Sequence, residues 1–439
     1  MSDFYSLALN PAVSSIILLC ILCLKKVNVL LAILVSTIFA GVFSGMNIKE
    51  VMDVFISGMG GNSETALSYI LLGTLAATMA HSGFTNKLSS KISTLISNKK
   101  YILLAIITLI AMASQNIVPI HIAFIPIIIP PLLNTMNALN IDRRSVASAL
   151  AFGLKMPYIT IPVGFGLIFH NLIADNMVQN GVQVLRQDIW KSTLILGLAM
   201  LTGLLVAIFV TYRKDRIYEN KMLNSLVTET AECSKYTTWV IALAAVLTFV
   251  VQLLTKSLPL GALVGLGIIF TLKVIPKNKM DTMMNEGIYL MGYVAFVMLV
   301  AAGFASVLKE TGAINALVNC VVGILPENIL LTSLVVLILG LFITIGIGTS
   351  FGTIPILAVL FIPICIKMGF NTQQMIILIA AAAALGDAGS PASDTTLGPT
   401  SGLNADGQHN HIFDTCIPTF LHYNISLIIF ALLGIYLLG

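Results

Sequence analysis

Long apolar runs alternate with short polar stretches along nearly the whole chain. In the first half they lie near residues 11–24, 27–45, 66–82, 101–118, 119–136, 145–174 and 193–212. In the second they lie near 237–254, 258–275, 287–308, 329–347, 352–368, 373–403 and 412–438. Most are about the length a helix needs to cross a hydrocarbon core roughly 30 Å thick. A helix satisfies its own backbone polar groups in lipid, which an open strand does not. The pattern therefore predicts an all-α polytopic membrane protein with about 12–14 transmembrane segments. Arg213–Tyr236 is the longest polar stretch, and it divides the chain into a repeat at 1–212, a cytoplasmic linker at 213–236 and a repeat at 237–439.

Composition sharpens this. Hydrophobic residues make up 57% and charged residues 10%, against about 25% charged in soluble domains. The net charge of +4 is spread over short loops, which points away from nucleic acid as a partner and toward the lipid bilayer. If Lys25 and Lys26 face the cytoplasm and the spans alternate, most of the 23 lysines and arginines fall on that side. The positive-inside rule then places both termini outside. Met1-Ser2-Asp3 has no basic n-region and reads as an uncleaved start. Most of the six cysteines fall in apolar runs, and Cys20-x-x-Cys23 reads as helix packing.

The two halves share an order of events. Gly58 and Gly287, Ala66 and Ala295, and Gly83 and Gly312 recur in register, and each half carries a Gly/Pro-broken segment, at Gly153–Gly166 and Gly386–Gly402. An odd number of spans per copy inverts the second copy. Two inverted-topology repeats with broken helices in matching places are the sequence mark of a secondary transporter.

The second break, "GDAGSPASDTTLGPTSG", is the most polar part of any span. Pro391 and Pro399 are expected to stop helical bonding and to free carbonyls beside Asp387, Ser390, Ser393, Asp394, Thr395 and Thr396. Freed backbone groups at membrane depth need protein, water or an ion as partner, and intramembrane carboxylates mark ion pathways. Carboxylate, hydroxyl and carbonyl oxygens suit Na⁺, with Asp387 and Asp394 as its metal-binding carboxylates. A carboxylate in such a place binds either Na⁺ or H⁺, and no cofactor beyond these ions is called for. Lys155 in the first break is expected either to pair with an aspartate or to snorkel to an interface. Asn116, Thr160, His170, Thr349 and Ser350 are further substrate or coupling candidates. His409-x-His411 lies in a polar run and reads as a solvated loop.

Gly386–Thr396, "GDAGSPASDTT", resembles the signature of the NhaC-type Na⁺/H⁺ antiporter family, and the similarity runs on to Asn424. The resemblance implies a homodimer in the bacterial inner membrane, with a moving transport domain and a static scaffold. It assigns the cation site to Asp387, Ser390, Ser393, Asp394, Thr395 and Thr396. The first-half break, "KMPYITIP", lacks a carboxylate. Na⁺/H⁺ exchange by alternating access is the leading expectation. Na⁺- or H⁺-coupled uptake of a small organic solute such as an amino acid is the alternative. Gly348–Gly352 also fits G-x-S-x-G, which raises intramembrane proteolysis as a distant rival without a placed base; the chain is otherwise read as no enzyme.

Overall fold

The structure, a computed structural model, describes residues 10–25, 27–84, 99–116, 125–163, 165–219, 234–255, 257–313, 316 and 328–438. Among these residues all regular structure is helical. In chain order the helices are α1 (Pro11–Leu24), α2 (Val29–Phe43), α3 (Ile48–Met59), α4 (Ser63–His81), α5 (Lys100–Asn116), α6 (Ile125–Ala138), α7 (Arg143–Thr160) and α8 (Phe165–Gln179). Then come α9 (Arg186–Val206), α10 (Lys235–Thr255), α11 (Leu258–Thr271), α12 (Met280–Glu310), α13 (Ile329–Ile347), α14 (Ser350–Lys367), α15 (Thr372–Ala384) and α16 (Asp394–Leu403). The last, α17 (His411–Leu437), runs through two wide π-helical stretches, His411–Cys416 and Phe420–Asn424.

Helix starts follow local chemistry. Asn10, Asn28, Asp142 and Asn328 accept backbone N–H groups at the heads of α1, α2, α7 and α13. Asn47 with Glu50 and Asn371 with Gln374 form reciprocal capping boxes on α3 and α15. α3 falls in a gap between expected spans. It is a short amphipathic helix that buries Val51 and Phe55 and exposes Lys49, Glu50 and Asp53.

The span lengths differ from the expectation. Among the described residues six helices are long and apolar enough to cross a membrane, or seven if α7 and α8, bent by 49° at their junction, count as one broken span. Among the described residues, α1, α2, α11 and α15 are apolar helices of only 10–17 residues, short of a straight crossing. The expected 373–403 span is two helices joined by a non-helical bend at Leu385–Ser393. Pro399 does not end helical structure there; it lies inside α16. The first break also falls later than its glycine suggests: α7 runs through Gly153 and Pro157, and the chain leaves the helix at Ile161–Val163.

Two bodies of helices pack together. α12 lies against α2, α3 and α4, while α10 and α11 pair and α11 joins α4. In the other body α7 and α15 are central. Nearly every residue of both is buried, as a helix enclosed on all sides requires. α5, α8, α9, α13, α14, α16 and α17 surround them. Outward positions remain apolar, among them Leu31, Leu198, Val210, Leu254 and Ile429. Such a surface belongs in lipid, and the chain is a multi-pass membrane protein.

Candidate functional site

The bend after α15 turns on two glycines. Gly386 has φ +78, and a Cβ there would come within 2.6 Å of the Leu341 carbonyl of α13. Gly389 has φ +101 and faces Phe420 of α17 at similarly close range. Only glycine adopts this path against these neighbours. Between them Asp387 turns inward and is 3% exposed.

Five side chains converge on Asp387. Lys155 Nζ donates to Oδ2 at 2.9 Å, Ser350 Oγ donates to Oδ2 at 2.7 Å, and Tyr158 OH donates to Oδ2 at 3.1 Å. Ser393 Oγ donates to Oδ1, and Thr395 Oγ1 donates to the Asp387 carbonyl at 3.0 Å with Oδ1 at 3.5 Å. Tyr158 and Ser350 also pair at 3.0 Å. All are buried, Lys155 completely. Lys155 therefore does not snorkel; it is half of an ion pair inside the helix bundle.

Helix ends place these groups. Ser350 is the first residue of α14, and Ser393 is the cap of α16, accepting from Thr395 N–H. Two helix N-termini, with their partial positive charge, thus lead into the site. α7 brings Lys155 and Tyr158 on one face at i and i+3. Tyr158 packs on Phe169 and Phe351, so an aromatic wall stands behind its hydroxyl.

Other predicted residues have different duties. Thr396 Oγ1 donates to the Ser390 and Ser393 carbonyls, and Ser390 Oγ donates to the Ile345 carbonyl at 3.4 Å. Both secure the bend and neither reaches Asp387. Asp394 is half-buried at the head of α16, where Tyr69 OH donates to its Oδ2 at 3.2 Å. Thr160 donates within α7 to the Met156 carbonyl. His170 Nε2 lies 2.8 Å from the Ile159 carbonyl, at the broken end of α7. Thr349 precedes α14 without capping it, and its carbonyl accepts from Thr353. The side chain of Asn116 lies outside the described residues. Ser350, the serine of the G-x-S-x-G match, bonds Asp387 and Tyr158.

The bend's carbonyls are largely taken by protein groups. Thr395 serves Asp387, Asn424 Nδ2 serves Ala388 at 2.9 Å, Thr396 serves Ser390, and His411 Nε2 serves Pro391 at 2.9 Å. The oxygens gathered at Asp387 are therefore its own carboxylate and the hydroxyls around it. His411 continues a chain: its Nδ1 meets Thr400 Oγ1 at 2.8 Å, Thr400 donates to Thr415 at 2.9 Å, and His409 Nε2 meets Thr415 at 2.7 Å. His409 is 2% exposed, so this run is not a solvated loop. Its imidazole is held below its ordinary pKa, first by burial and then by the charge of Arg143, although Asp414 opposes them.

The end of the bundle beside that run is tied by a second buried pair. Arg143 forks onto Asp406, Nη1 to Oδ1 at 2.7 Å and Nη2 to Oδ2 at 2.6 Å, and its guanidinium stacks on Tyr218 at 4.3 Å. Burial pushes the Asp406 carboxyl up, but the Arg143 bonds and charge outweigh it and hold it below the usual range. Arg216 reaches Asp414 at 2.8 Å. Residues 216–219 thus strap across α7, the 404–410 loop and α17.

Residues 149–435 match the Na⁺/H⁺ antiporter family, and residues 10–96 match a second description, the Na⁺-H⁺ antiporter family. The chain belongs to the Na⁺/H⁺ antiporter family. A membrane protein of Vibrio parahaemolyticus is 43% identical over 434 residues, covering 96% of this chain and 98% of its own. YuiF of Bacillus subtilis, named as a candidate amino acid transporter, is 42% identical over 441 residues with the same coverage. The solved YdaH transporter of Alcanivorax borkumensis overlaps 89% of this chain and 88% of its own at 13% identity and a TM-score of 0.46, too distant to argue from. Family membership makes this chain a secondary transporter. The family match at 149–435 spans the five described residues that bond Asp387.

Proposed function

We propose that this protein exchanges Na⁺ for H⁺ by alternating access, with Lys155 and Na⁺ taking turns on Asp387. One observation carries the reading: the Lys155 ammonium sits 2.9 Å from Asp387 Oδ2, on a carboxylate that the Ser350, Ser393, Thr395 and Tyr158 hydroxyls also contact. That is the place, and those are the oxygens, that suit a desolvated alkali cation. When Na⁺ takes the carboxylate, the ammonium loses its partner. An unpaired charge buried in a low-dielectric site is costly and sheds its proton. The balance is one Na⁺ bound, one proton released from Lys155 Nζ and no change in the site's net charge. Return of a proton reverses it. Because the site holds ammonium or Na⁺ but not both, each ion crosses only when the other has left.

Proteoliposomes with an internal pH dye test this. An imposed Na⁺ gradient drives proton movement in the wild type and none with Asp387→Asn. Proton movement that is indifferent to Na⁺ overturns the reading.

A second reading has a specific support. The paired ammonium and carboxylate present both signs that a zwitterion needs: an amino acid's ammonium on Asp387 and its carboxylate on Lys155. YuiF's description points the same way. Saturable uptake of a labelled amino acid into the same vesicles, blocked by Lys155→Gln and without Na⁺-driven proton flux, selects it.

A further inference from the structure

Tyr69 lies in α4, outside every motif in the broken segments. Its side chain is 1% exposed, and its hydroxyl donates to Asp394 Oδ2 at 3.2 Å. That bond crosses between the two bodies of helices.

The helix behind Tyr69 is firmly mounted. α4 and α12 touch backbone to backbone: a Cβ at Gly73 would lie 2.7 Å from the Gly287 carbonyl, and one at Gly287 would lie 2.3 Å from Thr74 Oγ1. Close approach of this kind through small residues is how helices pack tightly in lipid. At two glycines near the site the contacts are small or apolar. Gly348 has Ala301 and the Ala392 carbonyl as its neighbours, and Gly346 has Leu308 and Ile16. Contacts of that type have shape but no directional bond. Tyr69–Asp394 adds a donor and a charged acceptor at a fixed distance.

Asp394 is flanked in sequence by Ser393 and Thr395, the two residues that bond Asp387 from α16. Fixing the Asp394 carboxylate therefore fixes the head of α16 that carries part of the Asp387 shell. We infer that Tyr69 is a positioning residue of the cation site, holding Asp394 and the head of α16 in the register that assembles the shell around Asp387. The inference rests on the Na⁺/H⁺ exchange reading for the identity of the ion. It goes beyond that reading by placing part of the site's control on α4.

The test is a double-mutant cycle of Tyr69→Phe and Asp394→Asn in reconstituted protein, read as KM and maximal rate for Na⁺, with Na⁺-dependent thermal shift of the purified protein alongside. Hydrogen bonds to charged groups are strong enough that Tyr69→Phe raises the KM for Na⁺ about tenfold, with the maximal rate changed much less. In the Asp394→Asn background the same substitution adds nothing, since the charged acceptor is already gone. The Na⁺ dependence of the thermal shift moves in parallel. Full additivity of the two substitutions overturns the inference, and so does a Tyr69→Phe protein with lowered stability but wild-type KM. A wild type that binds Na⁺ yet moves no protons removes the exchange reading while the shift data still judge Tyr69. A wild type with no Na⁺-dependent shift removes both.

Discussion

Lys155 Nζ and Asp387 Oδ2 lie 2.9 Å apart, with 1% and 4% of their side chains exposed. The two residues come from two different interrupted helices, α7 and the α15–α16 bend. A buried pair of this kind is weak evidence for stability, because desolvating both charges offsets most of their attraction. Removing one partner is another matter. Asp387→Asn leaves Lys155 without its counter-charge, and thermal or denaturant unfolding in detergent should show a loss of about 3–5 kcal/mol. Pairing that change with Lys155→Met restores most of the stability and none of the transport.

Ser350 and Tyr158 act on the same oxygen of Asp387. Ser350→Ala removes a hydroxyl that bonds a charged carboxylate. It should weaken Na⁺ binding about tenfold or more, measured as the Na⁺ concentration giving half-maximal exchange. Tyr158→Phe keeps the packing on Phe169 and Phe351 and gives a smaller loss in the same assay.

Replacement of an ammonium proton by Na⁺ leaves the charge of the site unchanged. Exchange should therefore be insensitive to membrane potential, whereas moving one net charge across 100 mV is worth about 2.3 kcal/mol. Clamping the potential with valinomycin and potassium in vesicles measures this directly. A rate that scales with the imposed potential contradicts a simple swap on Asp387.

Asp406 gives a pH prediction at the end of the bundle. Its carboxyl is held below its ordinary value of 3.8, the bonds and charge of Arg143 outweighing burial. A depressed folded-state value stabilises the protein above the unfolded-state value and stops doing so as pH falls through the folded one. Asp406→Asn should therefore melt below the wild type at pH 5–8, and the gap should close as pH drops below about 4. A gap that is constant down to pH 3 contradicts the pairing.

Much of this was legible in the sequence. Apolar runs located most of the helices, though not α3, because a membrane helix must be greasy. Lys155 and Asp387 stood out as charges in such runs. What the sequence did not disclose depends on direction. Ser390, Ser393, Thr395 and Thr396 look alike in the motif, yet only Ser393 and Thr395 turn to Asp387, because the path set by Gly386 and Gly389 decides which hydroxyls face inward. Neither Tyr158 nor Tyr69 stands among the candidates drawn from the sequence, since an aromatic residue in an apolar run usually packs; the i, i+3 spacing of Lys155 and Tyr158 is the available signal. His409 sits among polar neighbours in sequence, and these hide its burial, where it meets Thr415 and Asn404. The break within 373–403 was legible from its glycines and prolines; its length was not, since Pro399 lies inside α16.

The most direct test is proton release on Na⁺ binding. Na⁺ is added to purified, weakly buffered protein in detergent while pH is recorded. Competition between Na⁺ and the Lys155 proton for Asp387 predicts release of about one proton per chain, saturating with Na⁺, and none from Asp387→Asn. Saturable Na⁺ binding without proton release, or the same release from Asp387→Asn, contradicts it.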